Sequence, residues 1–311
     1  MRRNALLTLC LVFSLPTLAA AASYTVTDLG TFGGTLSQGF SINAAGHVTG
    51  YANTSGNAAR HAFLYDGTIH DLGTLGGTNS IGNGINASGQ VTGYANTSGN
   101  AAQHAFLYDG TMHDLGTLGG TNSNGYGINA SGQVTGYART TGNAAFHAFL
   151  YDGTMHDLGT LGGTSSTGNG INASGQVTGY AWTSGDAAQH AFLYDGTMHD
   201  LGTLGGLYSS GYAINASGQV TGTSGGAAFV YDSVALMVDL NSLIAPSSGW
   251  VLRDGYGIND VGQITGSGYI GGETHAFLLT PIPEPSTFLL AAVGISGLMA
   301  CARRRRFCLP S

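Results

Sequence analysis

The sequence has no lysine, little charge and almost no cysteine. Only 8% of its 311 residues are charged, and the three cysteines lie near the two ends, so the middle of the chain holds no disulfide. Without the six arginines of the terminal segments and without Glu284, 3 basic and 15 acidic residues remain, a net charge of about −12. Such a body repels nucleic acid and anionic lipid, so we expect no nucleic-acid partner.

Helical periodicity is also missing. Glycine, which disfavours helices, occurs 53 times, and no stretch of the repeated region places apolar residues at helical spacing. Hydrophobic residues nevertheless make up 42% of the chain, enough to pack a core. These features predict an all-β protein.

Internal repetition dominates the sequence. Residues 85–127 recur as residues 128–170 with 37 of 43 positions identical. The Ile-Asn pair that opens this unit recurs at spacings of 43, 43, 43, 43 and 44 residues, at Ile42, Ile85, Ile128, Ile171, Ile214 and Ile258. A fixed period between about 20 and 50 residues indicates a repeat architecture.

Each repeat contains four segments typical of strands. Asp66-Gly67 predicts a two-residue hairpin turn between the third and fourth strands. Residues 87–89 predict the turn between the first and second strands, with the Asn86 side chain accepting hydrogen bonds from that turn. The repeat is therefore predicted to be a small antiparallel four-stranded sheet.

A two-residue turn also predicts which side chains share a face. It places Phe63 opposite His70, so that His61 and His70 lie together on a bulky face, while Ala62 and Leu64 form the smaller face. A bulky face packs without voids on the smaller face of the next copy.

Four strands repeated around an axis make a β-propeller, so residues 23–281 are predicted to form a six-bladed one. Residues 24–30 copy a fourth strand, whereas the last repeat ends with the third strand at residues 275–279. Pairing of these two segments is predicted to close the ring. A stacked solenoid is the alternative, and it would require capping units at the two ends.

Both termini are typical of export. Residues 1–22 have the charged start, short apolar run and small-residue end of a cleaved signal peptide. Near the other end, residues 286–302 lack charge and, as a helix about 26 Å long, come close to the length of a bilayer span. We predict a transmembrane helix there, with the basic cluster that follows it held on the cytoplasmic side: Arg303, Arg304, Arg305 and Arg306.

Residues 282–311 resemble the PEP-CTERM sorting signal, which consists of Pro283-Glu284-Pro285, the apolar segment and the arginines. The resemblance implies that Pro283, Glu284 and Pro285 are the recognition motif of an exosortase-type membrane protease. It also implies a destination at the outer surface or in the extracellular matrix of a Gram-negative bacterium, in association with exopolysaccharide. Retention or removal of the C-terminal anchor is left open.

The repeats resemble the HAF family of probable extracellular repeats. The motifs that carry this resemblance are His-Ala-Phe-Leu-Tyr-Asp-Gly, Asp-Leu-Gly-Thr-Leu-Gly-Gly and Ile-Asn-Ala-Ser-Gly-Gln-Val-Thr-Gly. The resemblance covers residues 24–280, and it supplies no activity that can be carried over to residues of this chain.

Histidines are the first candidates for chemistry. They begin the third strands at His61, His104, His147, His190 and His275, and they occur in the fourth strands at His70, His113, His156 and His199. Two histidines on one face of a hairpin could approach a metal, but no cysteine or carboxylate is predicted beside them. We therefore predict neither a metal site nor a cofactor.

Catalysis requires distinct acid, base and stabilising groups at one place, whereas near-identical copies supply the same groups several times. The sequence thus favours a non-catalytic structural or adhesive surface protein. Departures from the repeat at Trp182, Trp250 and Arg253 mark a possible ligand surface. The alternatives are a lectin-like propeller and a polysaccharide hydrolase or lyase with its site near Trp250, Arg253, Asp254 and Glu273.

Overall fold

The computed structural model describes residues 26–282. The predicted signal peptide, the Pro283-Glu284-Pro285 motif, the predicted membrane span at 286–302 and the arginine cluster all lie outside these residues. Among the described residues, no helix has the length and apolar character needed to cross a bilayer.

The all-β expectation is confirmed. Five groups of four antiparallel strands follow one another in chain order, and a group of three follows them in the described part of the chain. Each group is called a sheet below, although a single parallel bridge between Gln103 and Asn122 joins sheets 2 and 3 into one eight-stranded sheet. Sheets 1 and 2 comprise β1 (Gly33–Ile42), β2 (Val48–Thr54), β3 (Arg60–Tyr65), β4 (Ile69–Asp71), β5 (Gly76–Ile85), β6 (Val91–Thr97), β7 (Gln103–Tyr108) and β8 (Met112–Asp114). Sheets 3 and 4 comprise β9 (Gly119–Ile128), β10 (Val134–Thr140), β11 (Phe146–Tyr151), β12 (Met155–Asp157), β13 (Gly162–Ile171), β14 (Val177–Thr183), β15 (Gln189–Tyr194) and β16 (Met198–Asp200).

Sheet 5 comprises β17 (Ser209–Ile214), β18 (Val220–Ser224), β19 (Ala227–Asp232) and β20 (Leu236–Asp239), and sheet 6 comprises β21 (Val251–Ile258), β22 (Ile264–Ile270) and β23 (Glu273–Leu279). One-turn 3-10 helices lie in the connections, at Ser55–Asn57, Ser98–Asn100, Thr141–Asn143, Ser184–Asp186, Leu240–Leu243 and Pro246–Ser248.

Neighbouring sheets pack face to face, small side chains against bulky ones. Between sheets 1 and 2, Ala62 and Leu72 of the first sheet pack against Val91 and Phe106 of the second, and all four are buried. The same cluster recurs between the following sheets. Truncating a buried phenylalanine in such a core costs about 3 to 5 kcal/mol. This packing agrees with the prediction from the alternating pattern of the third strand.

The sheets converge at their first strands. A Cβ atom added to Gly84 would lie 2.7 Å from the carbonyl oxygen of Tyr126 in the next sheet, and one added to Gly170 would lie 3.0 Å from that of Tyr212. Packed sheets normally lie about 10 Å apart, so only glycine allows this approach. The outer strands are instead separated by Phe, Leu and Met side chains. The sheets therefore spread outward as a fan.

A single cavity of about 250 Å³ lies where the first strands converge. Residues from five successive sheets line it, among them Ser41, Asn83, Tyr126, Ile171 and Tyr212. One small cavity cannot touch five sheets that are stacked in a straight column about 10 Å apart. The arrangement is therefore radial, which disfavours the solenoid alternative.

A ladder of asparagine side chains joins the sheets near this axis. The Asn86 amide donates a hydrogen bond to the Asn129 carbonyl oxygen of the next sheet at 2.9 Å, while its side-chain oxygen accepts from Ser88 N and Gln90 N. The two hydrogen bonds that the Asn86 side-chain oxygen accepts are those predicted for its turn. The contact between sheets recurs at 3.0 to 3.1 Å from Asn43 to Asn86, Asn129 to Asn172, Asn172 to Asn215 and Asn215 to Asn259.

The predicted closure of the ring by an N-terminal strand is wrong. Residues 26–30 belong to no strand, and within the described chain β23 pairs only with β22. Ile42 of sheet 1 is 67% exposed whereas its counterpart Ile85 is 9% exposed, and Leu278 of sheet 6 is 65% exposed. The segment leads into sheet 1 without a linker: Phe32 N donates to Asn53 O at 3.1 Å. The segment therefore remains beside sheet 1. The face of sheet 1 that is turned away from sheet 2 does not contact sheet 6.

The predicted register of the outer hairpin is also wrong, by one residue. Asp66 N donates to Thr68 O, so that the turn has three residues, and Leu64 rather than Phe63 lies opposite His70. A slip of one residue moves every side chain of the fourth strand to the other face. His70 therefore lies on the face of Leu64, away from His61, and the two histidines do not form the common face considered for a metal.

Candidate functional site: repeated clefts between neighbouring sheets

Three similar clefts open between the outer parts of neighbouring sheets. Cleft 1 lies between sheets 1 and 2, cleft 2 between sheets 2 and 3, and cleft 3 between sheets 3 and 4, with volumes of about 670, 650 and 650 Å³. These volumes fall within the usual range of small-molecule sites. The sequence repeat is therefore also a repeat of concave surface.

Each cleft combines two hairpin turns with the first turn of the following sheet. In cleft 1, the outer hairpin of sheet 1 contributes Asp66, His70 and Asp71. Sheet 2 contributes its own turn aspartate, a glutamine, a serine and a tyrosine: Asp109, Gln90, Ser88 and Tyr108. Carboxylate, imidazole, amide and hydroxyl groups beside an aromatic ring are suited to hydrogen bonding with a polyhydroxylated ligand.

The three-residue turn holds a histidine against its aspartate. His70 Nε2 lies 2.8 Å from Asp66 Oδ1 and 2.9 Å from Thr68 Oγ1. The aspartate–histidine distance is the same in the pairs Asp109–His113, Asp152–His156 and Asp195–His199. The hydrogen bond with His70 lowers the pKa of Asp66, and that with His113 lowers the pKa of Asp109, below the usual value of 3.8. Both carboxylates are therefore ionised at neutral pH.

A second histidine–aspartate pair stabilises the edge of each of these hairpins. His61 Nδ1 lies 2.8 Å from Asp71 Oδ2, while Asp71 Oδ1 accepts a hydrogen bond from Gly73 N at 2.8 Å. Asp71 thus binds both the histidine of the third strand and the backbone just after the fourth strand. Within residues 26–282, no cluster of three or more His, Cys, Asp or Glu side chains is arranged to hold a metal ion.

Two parts of the chain match known protein families. Residues 118–278, more than half of the chain, match the family described as "Protein of unknown function (DUF3466)". The chain belongs to the DUF3466 family. Residues 281–306 match the PEP-CTERM protein-sorting motif. This DUF3466 protein is therefore exported and carries a C-terminal signal that exosortase, a membrane protein, recognises. The resemblance to HAF repeats stays a prediction.

Curated proteins gave no match. Among solved structures, the DUF3466 chain is similar to a gluconolactonase from Xanthomonas campestris, with 12% identity, a TM-score of 0.40, and coverage of 81% of this chain and 89% of that chain. It is also similar to the β-propeller domain of the Trilobed protease from Pyrococcus furiosus, whose topology is described as open velcro. There the identity is 11%, the TM-score 0.48 and the coverage 81% of this chain and 85% of that chain.

The three residues predicted as a ligand surface have different neighbours. Trp182 on β14 packs edge-on against Tyr208, with ring centroids 6.3 Å apart. Trp250 packs beside Phe277 at the core of sheet 6, and the Arg253 guanidinium lies 5.5 Å from the ring centroid of Tyr269. The DUF3466 chain thus does not assemble these residues into one site.

The clefts were not predicted from the sequence. The turn residues were assigned only to turns, and ligand contacts were expected at residues that depart from the repeat. The cleft residues are among those that repeat most faithfully, such as Ser88, Gln90 and Tyr108. The loop before the third strand has a structural role, since Asn57 Oδ1 accepts a hydrogen bond from Thr35 N at 2.9 Å. The sequence signal that could have indicated the clefts was the recurrence of these cleft residues at a spacing of 43 residues.

Proposed function

We propose that this protein is a non-catalytic component of the outer surface or extracellular matrix of a Gram-negative bacterium. In this proposal it binds exopolysaccharide through the repeated clefts. The observation that carries the proposal is the presence of three clefts of nearly equal volume, with equivalent polar residues, on successive sheets. Repetition of a weak site raises the avidity for a repetitive polymer without any additional contact.

The composition of the clefts supports a sugar rather than an apolar ligand. Cleft 1 presents the Asp66 and Asp71 carboxylates, the Gln90 amide and the Tyr108 ring in one concave surface. The side chains of Asp66 and His70 are 40% and 49% exposed, so a ligand that reaches the cleft meets them directly. Hydroxyl groups of a sugar donate to carboxylates and accept from amides, which satisfies both partners.

The carboxylate chemistry supports binding rather than catalysis. A general acid at neutral pH needs a raised pKa, whereas the pKa values of Asp66 and Asp109 are lowered by their histidine partners. Each cleft also repeats the groups of its neighbours, so that no cleft differs from the other two in the way that a single catalytic centre would.

The test is a glycan array probed with the exported protein and with a triple variant, Asp66→Asn, Asp109→Asn and Asp152→Asn. Asparagine is also a good turn residue, so we expect the fold and the melting temperature to be retained. The wild-type protein should bind polysaccharide, and the triple variant should bind at least tenfold more weakly. Equal binding by the two proteins would contradict the role of the clefts.

Sorting is tested separately by deletion of residues 283–306. The truncated protein should be released into the medium or remain in the periplasm, because exosortase no longer recognises it. If the truncated and full-length proteins fractionated alike, the role of the C-terminal signal in localisation would be rejected.

The alternative function is that of a polysaccharide hydrolase or lyase in sheet 6, the least repetitive part of the chain. Asp254 accepts a hydrogen bond from Ser267 Oγ at 3.2 Å, and Glu273 lies 3.5 Å from His275. Cleavage of exopolysaccharide that is lost in Glu273→Gln would establish this activity. We expect no cleavage by either protein.

A further inference from the structure

The three clefts are contiguous. Gln90 and Asp109 line both cleft 1 and cleft 2, while Gln133 and Asp152 line both cleft 2 and cleft 3. Each border between clefts thus consists of one glutamine and one aspartate side chain that belong to two clefts at once. A ligand in either of two neighbouring clefts can therefore contact the same border residues.

We infer that the clefts form one track, along which a single polysaccharide chain without acidic groups is bound in register with the 43-residue repeat. This inference rests on the proposed function, but it makes a stronger statement. Independent clefts would bind three separate ligands, whereas a track binds one polymer whose affinity rises with its length.

The charge of the track determines which polymer it accepts. Cleft 1 contains three carboxylates, Asp66, Asp71 and Asp109, and two histidines, while clefts 2 and 3 each contain three carboxylates and one histidine. Carboxylates therefore outnumber imidazoles in every one of these clefts. No arginine lines any of these clefts, and the chain contains no lysine. A uronic-acid or sulfated polymer would place like charges against these carboxylates, which is unfavourable. Neutral or amino-sugar polymers meet no such repulsion.

The chain provides a matched set of variants in its four turn aspartates. Asp66, Asp109, Asp152 and Asp195 each have a histidine partner at 2.8 Å, and their side chains are 40%, 43%, 43% and 42% exposed. Among clefts 1 to 3, Asp109 and Asp152 line two clefts each, whereas Asp66 and Asp195 line one each. Replacing each in turn by asparagine therefore perturbs the fold equally and the track unequally.

The experiment measures the affinity of the full exported protein for size-fractionated oligosaccharides of dextran, mannan, β-glucan, chitosan and alginate. For the series that binds, affinity should rise steeply with length and then level off. With long oligomers, we expect Asp66→Asn and Asp195→Asn to weaken binding about fivefold, which is typical of one lost hydrogen bond. Asp109→Asn and Asp152→Asn should weaken it about 25-fold, because each contacts the polymer in two clefts.

Three outcomes would overturn the inference. Equal losses in all four variants, or an affinity independent of length, would show independent clefts while leaving the proposed function intact. Binding of alginate as tight as that of the neutral series would refute the charge argument. Failure of the wild-type protein to bind any series would reject the proposed function together with the track. Melting temperatures of the four variants should agree and so exclude unfolding as the cause.

Discussion

Replacement of Asn129 tests the ladder that joins the sheets. Its side-chain oxygen accepts hydrogen bonds from Ser131 N, Ser131 Oγ and Gln133 N, and its amide donates to Gln133 Oε1 and to Asn172 O. The residue is only 5% exposed, so water cannot replace most of these partners. Asn129→Ala removes all five hydrogen bonds.

The expected cost follows from these contacts. A hydrogen bond contributes about 0.5 to 1.5 kcal/mol net, and a buried group left without a partner costs more. We therefore expect Asn129→Ala to lower the free energy of unfolding by about 3 to 5 kcal/mol. Asn129→Asp keeps the volume and the accepting oxygen, but it places a carboxylate oxygen against Asn172 O at a site where burial disfavours charge. Its destabilisation should decrease at low pH, because protonation restores a donor.

The matched control is Asn259 in sheet 6, the last member of the ladder. Its side chain is more exposed and exchanges two hydrogen bonds, both with Gln263. Asn259→Ala should therefore cost only about 1 kcal/mol. The assay is urea denaturation followed by circular dichroism. Neighbouring repeats stabilise each other, so a weakened internal contact lowers the stability of the whole array. Equal costs for Asn129→Ala and Asn259→Ala would refute the ladder as a stabilising contact between sheets.

Two further predictions concern glycine and tyrosine. A Cβ atom on Gly136 would collide with the Asn124 carbonyl oxygen, whereas one on Gly142 would meet nothing, although its φ of +71° disfavours alanine. We expect Gly136→Ala to prevent native folding and Gly142→Ala to cost about 1 kcal/mol, as measured by denaturation; similar melting temperatures would contradict the assigned register. Burial raises the pKa of Tyr126 to about 12. Its neutral form is therefore favoured in the folded state, so stability should fall as the pH rises from about 10 to 12, and Tyr126→Phe should reduce that fall. An identical pH dependence of the two melting temperatures would show that Tyr126 is not buried as described.

The sequence predicted the repeat unit well because its period and alternation are local properties. It could not predict the register of the outer hairpin, since Asp66-Gly67 suits both a two-residue and a three-residue turn. The choice depends on Thr68, whose carbonyl accepts from Asp66 N and whose hydroxyl contacts His70. Because the face of the fourth strand depends on that choice, the position of His70 and the outer hairpin's contribution to the clefts could not be predicted either.

Ring closure required information that the sequence does not contain. The copy of a fourth strand at residues 24–30 suggests pairing with the last sheet, but pairing depends on the angle between successive sheets. That angle is set by close contacts at the axis, such as Gly84 against Tyr126 O. The asparagine ladder did have a sequence signal, the recurrence of Ile-Asn every 43 or 44 residues. Its acceptor in the next copy became visible only in the folded chain.

The most direct test of the account is to mix the mature protein, purified from its host, with the host's own exopolysaccharide and to follow both by size-exclusion chromatography with light scattering. The account predicts a saturable complex in which the polymer keeps its length, and a much weaker complex for the triple aspartate variant. A polymer shortened by the wild-type protein but not by Glu273→Gln, or the absence of any complex, would contradict it.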